Sequence, residues 1–413
     1  MPIRCQTLLT LCPVFAGLAG CAKGEKNGGD TPLGEVDCST RNYSVPSTRG
    51  ELDGVWDEVE GRLILFGGDQ GTPVDCIPEP DFVGETWAFY TDCDNFEEFV
   101  LDEAPSMRSR HATALDATRR QMLVHGGRYR EAESGNYTLY DDLWAFDMET
   151  NTWLELDAPD GPSARVTHGM VVAGDMAYVY GGNTARSSTA YNPVGDLWEL
   201  DLTTLTWTEL EDDAEPGERI FQALAVNEAG TKLYVYGGGD ENAFFGPFFG
   251  DLWELDIESL SWTELHDGNG DAPDGRIWAD LMVDEDNNAL FLWAGHDDGS
   301  LGNTNQVWSF DLNSLEWTEV AAGDLFANPA NGFCDFPDDF TEPDLDAPER
   351  RYSGAATLNE DGFIIFGGKT DCGQVNDVWT FDTDSMLWTE RSSATAGEIC
   401  ARTFSDGCES LCF

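Results

Sequence analysis

The sequence predicts an all-β fold, a propeller of six blades with four antiparallel strands in each, and three observations predict it. Residues 195–210 read GDLWELDLTTLTWTEL and residues 250–265 read GDLWELDIESLSWTEL, nearly the same sixteen residues written twice. Six apolar runs end in Gly-Gly or a worn form of it. A P-x-x-R stretch precedes each run by about twenty residues, and the three markers keep one order six times. Self-similarity at a period of about fifty-five residues marks a repeat architecture.

Each repeat reads as four strands. After the Arg comes an apolar segment such as HGMVVAG (168–174), the innermost strand. A short turn leads to the second strand, a β-branched and aromatic run: LILFGG ending at Gly68, QMLVHGG at Gly127, AYVYGG at Gly182, LYVYGG at Gly238, LFLWAG at Gly295 and FIIFGG at Gly368. Short length, turn residues on both sides and aromatic enrichment favour strands over helices. Gly-Gly at a strand end permits positive φ or close backbone approach. A variable loop follows, then the third strand (LWELD), a tight turn at TTL or ESL, and the fourth (WTEL).

Pairs of Trp nine residues apart recur at Trp144/Trp153, Trp198/Trp207, Trp253/Trp262, Trp308/Trp317 and Trp379/Trp388, with Trp87/Phe96 as a sixth. An Asp follows the first Trp within four residues in five copies: Asp147, Asp201, Asp256, Asp311 and Asp382. The rings are expected to fill the wedge between neighbouring blades, each burying on the order of 200 Å².

The order P-x-x-R, apolar-Gly-Gly, then aromatic, Asp and Trp resembles the kelch repeat, over roughly residues 46–391. The resemblance implies a propeller over residues 35–397, with repeats starting near 46, 105, 162, 216, 273 and 348. Kelch propellers include adaptors, sialic-acid epimerases and copper-radical sugar oxidases, so the fold does not carry the function.

The first twenty residues, MPIRCQTLLTLCPVFAGLAG, have one Arg, no acid and an apolar stretch from Leu8 to Leu18, as a secretory signal peptide does. The stretch closes with Leu18-Ala19-Gly20-Cys21, which resembles a bacterial lipobox. The expectation is an exported lipoprotein of the outer membrane, periplasm or cell surface. Cys21 would carry the lipid, and residues 22–34 a flexible tether. Setting aside Cys5 and Cys12 of the signal peptide and Cys21 leaves Cys38, Cys76, Cys93, Cys334, Cys372, Cys400, Cys408 and Cys412, an even number in an exported chain, which implies disulfides. None falls between residues 94 and 333, so they belong to the first blade, the last blade and a closing segment, 398–413. Topology places Cys334 and Cys372 in loops on one face, and these two are the expected pair.

The chain holds 78 acids against 22 bases, a formal net charge of −56. That balance makes nucleic acid and anionic membrane surfaces poor partners. The stretch DGNGDAPDG offers Asp267, Asn269 and Asp271 at alternate positions, like the start of a calcium loop. Ala272 stands where that loop needs Gly, and Trp278 where it needs Glu. A structural calcium there is the one cofactor the sequence suggests.

In an up-and-down blade, the loops after Gly-Gly and the loops between blades share one face. They are the long ones, and long loops carry binding. A protein or glycan ligand is therefore expected on that face. Its candidates are the motif arginines Arg49, Arg108, Arg165, Arg219, Arg276 and Arg351, with Arg110 and Arg128, and the aromatics Phe244, Phe245, Phe248 and Phe249. Guanidinium forks suit carboxylates or sulfated sugars. The alternative for the motif arginines is a bridge to a neighbouring Asp or a strand-end carbonyl. His111 and His168 share one repeat position and are expected to pack. No Ser-His-Asp, HExxH or P-loop pattern is present. A binding protein is the reading favoured over an enzyme. The enzymatic alternative is an epimerase-like kelch protein using a carboxylate and an Arg, ahead of a galactose-oxidase-like copper enzyme.

Overall fold

In a computed structural model of the chain, the described residues are 38, 43–71, 80–132, 134–211, 215–242, 246–297, 302–326, 341–342, 344–370 and 373–395. Cys21, Cys76, Cys334, Cys372, Cys400, Cys408, Cys412, Phe244 and Phe245 lie outside them. The chain divides into two units, residues 1–39 and 40–413. Within the first, Cys38 is disulfide-bonded, as is Cys93 within the second.

Among the described residues the second unit carries six antiparallel blades of four main strands each, taken in sequence order, with short two-stranded ladders between some of them and the short strand Arg351–Tyr352 added to the sixth sheet. The first comprises Asp53–Asp57, Arg62–Phe66, Thr86–Tyr90 and Asn95–Phe99. The second comprises Ala112–Asp116, Gln121–His125, Leu143–Asp147 and Thr152–Leu156. The third runs Gly169–Ala173, Met176–Tyr180, Leu197–Asp201 and Thr206–Leu210, and the fourth Ala223–Val226, Lys232–Tyr236, Leu252–Asp256 and Ser261–His266. The fifth has Asp280–Asp284, Ala289–Trp293, Val307–Asp311 and Glu316–Ala321. The sixth has Ala355–Asn359, Gly362–Thr370, Gly373–Asp382 and Leu387–Ser392. Among the described residues no strand is exchanged between the first and last blades, and side chains and loop backbone join them. Innermost strands neighbour one another in sequence order, and the last returns to the first. The repeated sixteen residues are the outer hairpin, with Asp201 opposite Thr206 and Leu197 opposite Leu210.

The core is divided among the wedges between blades. The second aromatic of each pair fills the wedge on its blade's leading side: Phe96 beside Phe366, Trp153 beside Phe66, Trp207 beside His125, Trp262 beside Tyr180, Trp317 beside Tyr236 and Trp388 beside Trp293. The Asp after the first Trp caps the hairpin turn. Asp201 accepts the amides of Thr203 and Thr204, and Asp311 those of Asn313 and Ser314. The Gly-Gly pairs take positive φ, as in Gly126 and Gly127 at 68° and 103°. A Cβ on Gly126 would stand 2.8 Å from the Arg165 carbonyl oxygen and the His168 ring. Only glycine brings two blades that close.

Candidate functional site at the loop-rich face

The motif arginines are 0–2% exposed, and their side chains run from the inner strand outward to the third strand. Arg108, Arg165, Arg219 and Arg351 each form two parallel bonds, at 2.6–2.8 Å, to Asp142, Asp196, Asp251 and Asp377. Arg49 reaches Glu85 at 2.6 Å, and Arg276 reaches the neutral Gln306 at 3.3 Å. Nη1 of all six also donates to the carbonyl of the first Gly of the pair, or of Ala294 in the fifth blade, at 2.9–3.3 Å. The acceptor side chain in turn takes the indole N–H of the first Trp, as Asp251 does from Trp253 at 2.6 Å. Of the two readings of these arginines, the bridge to a neighbouring acid and strand-end carbonyl is therefore the arrangement present. The acids that complete it stand two residues before the first Trp in five of the six blades, a pattern visible in GDLW, DDLW and NDVW, with Gln306 in the fifth.

Two residues beyond each motif Arg, the chain turns into the left-handed region at six non-glycine residues. They are Glu51, Arg110, Thr167, Phe221, Trp278 and Ser353, with φ between 50° and 59°. Each costs backbone energy, and such strain gathers at functional centres. Their amides link around the axis: Glu51 N–H donates to the Ser353 carbonyl, Arg110 to Glu51, Thr167 to Arg110, Phe221 to Thr167 and Trp278 to Phe221, at 2.8–3.1 Å. The sixth link, Ser353 to Trp278, is not made. A ring of six side chains therefore surrounds the axis at the loop-rich face.

Charge is concentrated in that ring. Glu51 is buried and accepts Arg110 through Nε and Nη2, both at 2.8 Å, Arg128 at 2.9 Å, Lys369 at 2.8 Å and the Ser109 hydroxyl at 2.9 Å. Burial works to raise its pKa, yet Arg110, Lys369 and Arg128 together hold the carboxyl well below its ordinary value. Arg110 lies over the rings of Trp278 and Phe221, its Cζ 4.9 and 5.5 Å from their centroids. Trp278 packs tilted against Tyr352 at 4.9 Å, and Phe221 meets Tyr191 edge to face at 6.1 Å. Arg128 and Arg130 both sit on the Tyr137 ring, at 4.2 and 4.4 Å. Below the ring, burial raises the Asp53 carboxyl to about 6. Burial, then the charge of Asp53, pushes Asp280 well above the usual range.

Arg110 and Arg128 are thus brought together at the axis, with Arg130 and Lys369, which the sequence reading did not single out. Phe248 is buried against Ile220, Phe221 and Ile277, and Phe249 lies under Arg219 at 4.5 Å. Asp267 and Asn269 form an exposed turn in which the Asn269 amide donates to the Asp267 carboxylate, and Asp271 is exposed beside it. Among the described residues no group of three or more His, Cys, Asp or Glu is placed to hold a metal.

The chain matches the profile of the KLHDC2/KLHL20/DRC7 Kelch-repeats domain over residues 55–268 and 225–408. It is 27% identical over 286 residues to the Leucine-zipper-like transcriptional regulator 1 homolog of Drosophila melanogaster, across 68% of this chain and 26% of that protein. The chain therefore spans about a quarter of that relative's length. It is 22% identical over 410 residues to Kelch domain-containing protein 10 of Mus musculus, across 95% of this chain and 82% of that one. Among solved structures it resembles the one titled "Structure of YjhT", with a TM-score of 0.59 and 17% identity, covering 84% of this chain and 98% of that chain. That likeness concerns the fold alone.

Proposed function

The chain belongs to the kelch-repeat family, and from that premise we propose that it is an envelope-anchored binding protein that recognises a protein partner through the centre of its loop-rich face. One observation carries the reading. In a chain with 78 acids and 22 bases, Arg110, Arg128, Arg130 and Lys369 gather at one point with the carboxylates of Glu51 and Asp69 among them. Trp278 and Tyr191, both half-exposed, lie alongside. A cationic, aromatic centre inside an acidic surround suits a hot spot, where Arg, Trp and Tyr dominate. Relatives named as a transcriptional regulator homolog and a kelch domain-containing protein agree with an interaction role without naming a ligand. Anchoring rests on the lipobox ending at Cys21.

The test is capture from an envelope extract by the immobilised chain, with Trp278→Ala as the control. A protein retained by the parent and lost in the variant is the expected result. Retention of glycans alone, or turnover of a sugar acid by the purified chain, would overturn the reading. Metabolic labelling with palmitate, compared with Cys21→Ala, tests the anchor separately.

A further inference from the structure

Asp53 and Asp280 hold the same repeat position, four residues beyond the motif Arg of blades one and five. Asp53 accepts the Gly54 amide at 2.8 Å and, across the wedge to blade two, the Thr113 amide at 3.1 Å. Among the described residues Asp280 accepts no hydrogen bond and meets no cation. It is half-buried rather than sealed, and its carboxyl oxygens keep some surface open.

The seam explains the difference. Ala356 stands in blade six where blade two has Thr113. The inner strands of blades five and six lie further apart than those of any other neighbouring blades, and the ring of linked amides is open between them. Ser353, at that opening, is 7% exposed and its hydroxyl has no hydrogen-bond partner. The other neighbours of Asp280 offer it nothing. On the blade-six side the wedge is apolar, Ala356 packing with Met282 and Trp293. The second strand of its own blade pairs it with Trp293, and the charge that acts on it is that of Asp53. Arg110, in the ring above, is taken by Glu51 at 2.8 Å. A carboxylate out of water without a partner costs several kcal/mol. A proton removes the charge but leaves the hydrogen bonds unmade.

We infer that the axial notch between blades five and six seats an alkylammonium group against the Asp280 carboxylate, with Asp53 adding its charge from across the axis. The inference goes beyond the face reading and does not depend on it. An ammonium on an alkyl stem brings donors and a counter-charge to the carboxylate, and its CH₂ groups suit the apolar walls. A hard divalent ion would ask for roughly six to eight oxygens, and the notch offers one unpaired carboxylate. A molecule with a formal net charge of −56 draws cations toward its axis.

The group can belong to a free amine or to a lysine side chain, and two probes separate these. One is n-butylammonium, compared with butanol; the other is a capped peptide with one Lys among neutral residues, compared with its norleucine counterpart. Binding to the full chain is followed by calorimetry at fixed ionic strength. At pH 8 at least one charged probe is expected to bind at least about tenfold tighter than its uncharged counterpart. Preference for butylammonium alone assigns the site to a small amine, and preference for the Lys peptide alone to a protein partner. The affinity is expected to be lower at pH 5, because Asp280 must shed its proton while the ammonium keeps its own. Asp280→Asn is expected to remove both the preference and its pH dependence. Ala356→Thr, which restores the donor of blade two, is expected to weaken ammonium binding about tenfold. Equal binding of charged and uncharged probes by the parent overturns the inference. So does an Asp280→Asn chain that keeps the preference, an affinity that does not rise with pH, or calcium bound at Asp280 in place of the ammonium. Should Asp280→Asn not fold, Ala356→Thr decides by the same comparison. Failure here leaves envelope-partner capture, and its loss in Trp278→Ala, untouched, so the two readings fail separately.

Discussion

Arg351 and Asp377 hold each other by two parallel bonds, Nη1 to Oδ1 at 2.6 Å and Nη2 to Oδ2 at 2.8 Å, with side chains only 2% and 9% exposed. The equivalent acid of the first blade, Glu85, is 36% exposed and meets Arg49 through one oxygen. Arg49 and Arg351 are equally buried, but only Asp377 supplies a two-bond fork shielded from solvent, whereas Glu85 makes one bond already open to water, so the loss differs with the acid. Asp377→Ala is expected to cost about 3–5 kcal/mol in urea unfolding, and Glu85→Ala about 1 kcal/mol. Equal losses would mean that the fork and its burial contribute nothing beyond a surface pair.

Buried histidines make the ring sensitive to acid. His125 Nδ1 lies 3.0 Å from His168 Nε2, and His111 is buried against Phe66. Burial first, then neighbouring cations, lowers all three: His111 and His125 to about 3, with Arg108 and Arg165 acting against the charged form and Asp142 for it, and His168 well below its usual value. Unfolded, each imidazole takes a proton near pH 6.5. Between pH 6.5 and 3 the unfolded chain binds more protons, so stability falls as the pH drops. Asp53, raised to about 6, works the other way: it gains its proton earlier when folded and adds stability as pH falls below 6. Gln222 stands at the repeat position of His111 and His168 and donates to the Tyr180 carbonyl at 2.9 Å. His168→Gln should therefore fold and show a shallower fall in thermal midpoint between pH 7 and 4.5. An unchanged slope would sink the assignment.

Blades, strand order and the wedge aromatics were legible because each marker does one physical job six times. The outward course of the motif arginines was half legible. Its alternative reading named an acid and a strand-end carbonyl, and an acid stands two residues before the first Trp in five of the six blades. The axial cluster was not legible as a unit. Glu51, Arg110 and Lys369 occupy three blades and follow no shared motif, since the residues facing the axis differ from repeat to repeat. Glu51 and Lys369 are 318 residues apart, and only ring closure brings them to 2.8 Å.

Asp280 faces the axis with its carboxyl pushed well above the usual range, by burial and then by the charge of Asp53. It lies at the one seam where the ring of linked amides is open, between Trp278 and Ser353. An acid raised on folding destabilises once the pH exceeds its unfolded value, near 3.9. Asp280→Asn is therefore expected to stabilise the chain at pH 8 by about 1–3 kcal/mol, with the gain shrinking toward pH 4 and vanishing only below the unfolded pKa, where both states hold the proton. Unfolding by urea at the two pH values measures it. A gain that is the same at both would show that the carboxyl carries no charge penalty.

Glu51 ties the last blade to the first two, receiving Lys369 from one side and Arg110 and Arg128 from the other. Asn376 donating to the Pro46 carbonyl and Gln374 to those of Asp69 and Gly71 reinforce the same junction, and Arg391 meets Asp94 at its exposed rim. The two ends of this bridge are not equivalent. Lys369→Met leaves Glu51 with two arginines and is expected to cost about 1–2 kcal/mol. Glu51→Ala leaves three buried cations without their acid and is expected to cost about 3–5 kcal/mol. Because these cations hold the Glu51 carboxyl well below its usual value, its contribution is present above the unfolded pKa, near pH 4.3, and is lost only as the pH falls through the lower folded value. The gap between parent and Glu51→Ala should therefore stay constant from pH 8 to 5 and close below pH 4. A gap that closes by pH 5 would mean that Glu51 is not held ionised by the cations around it.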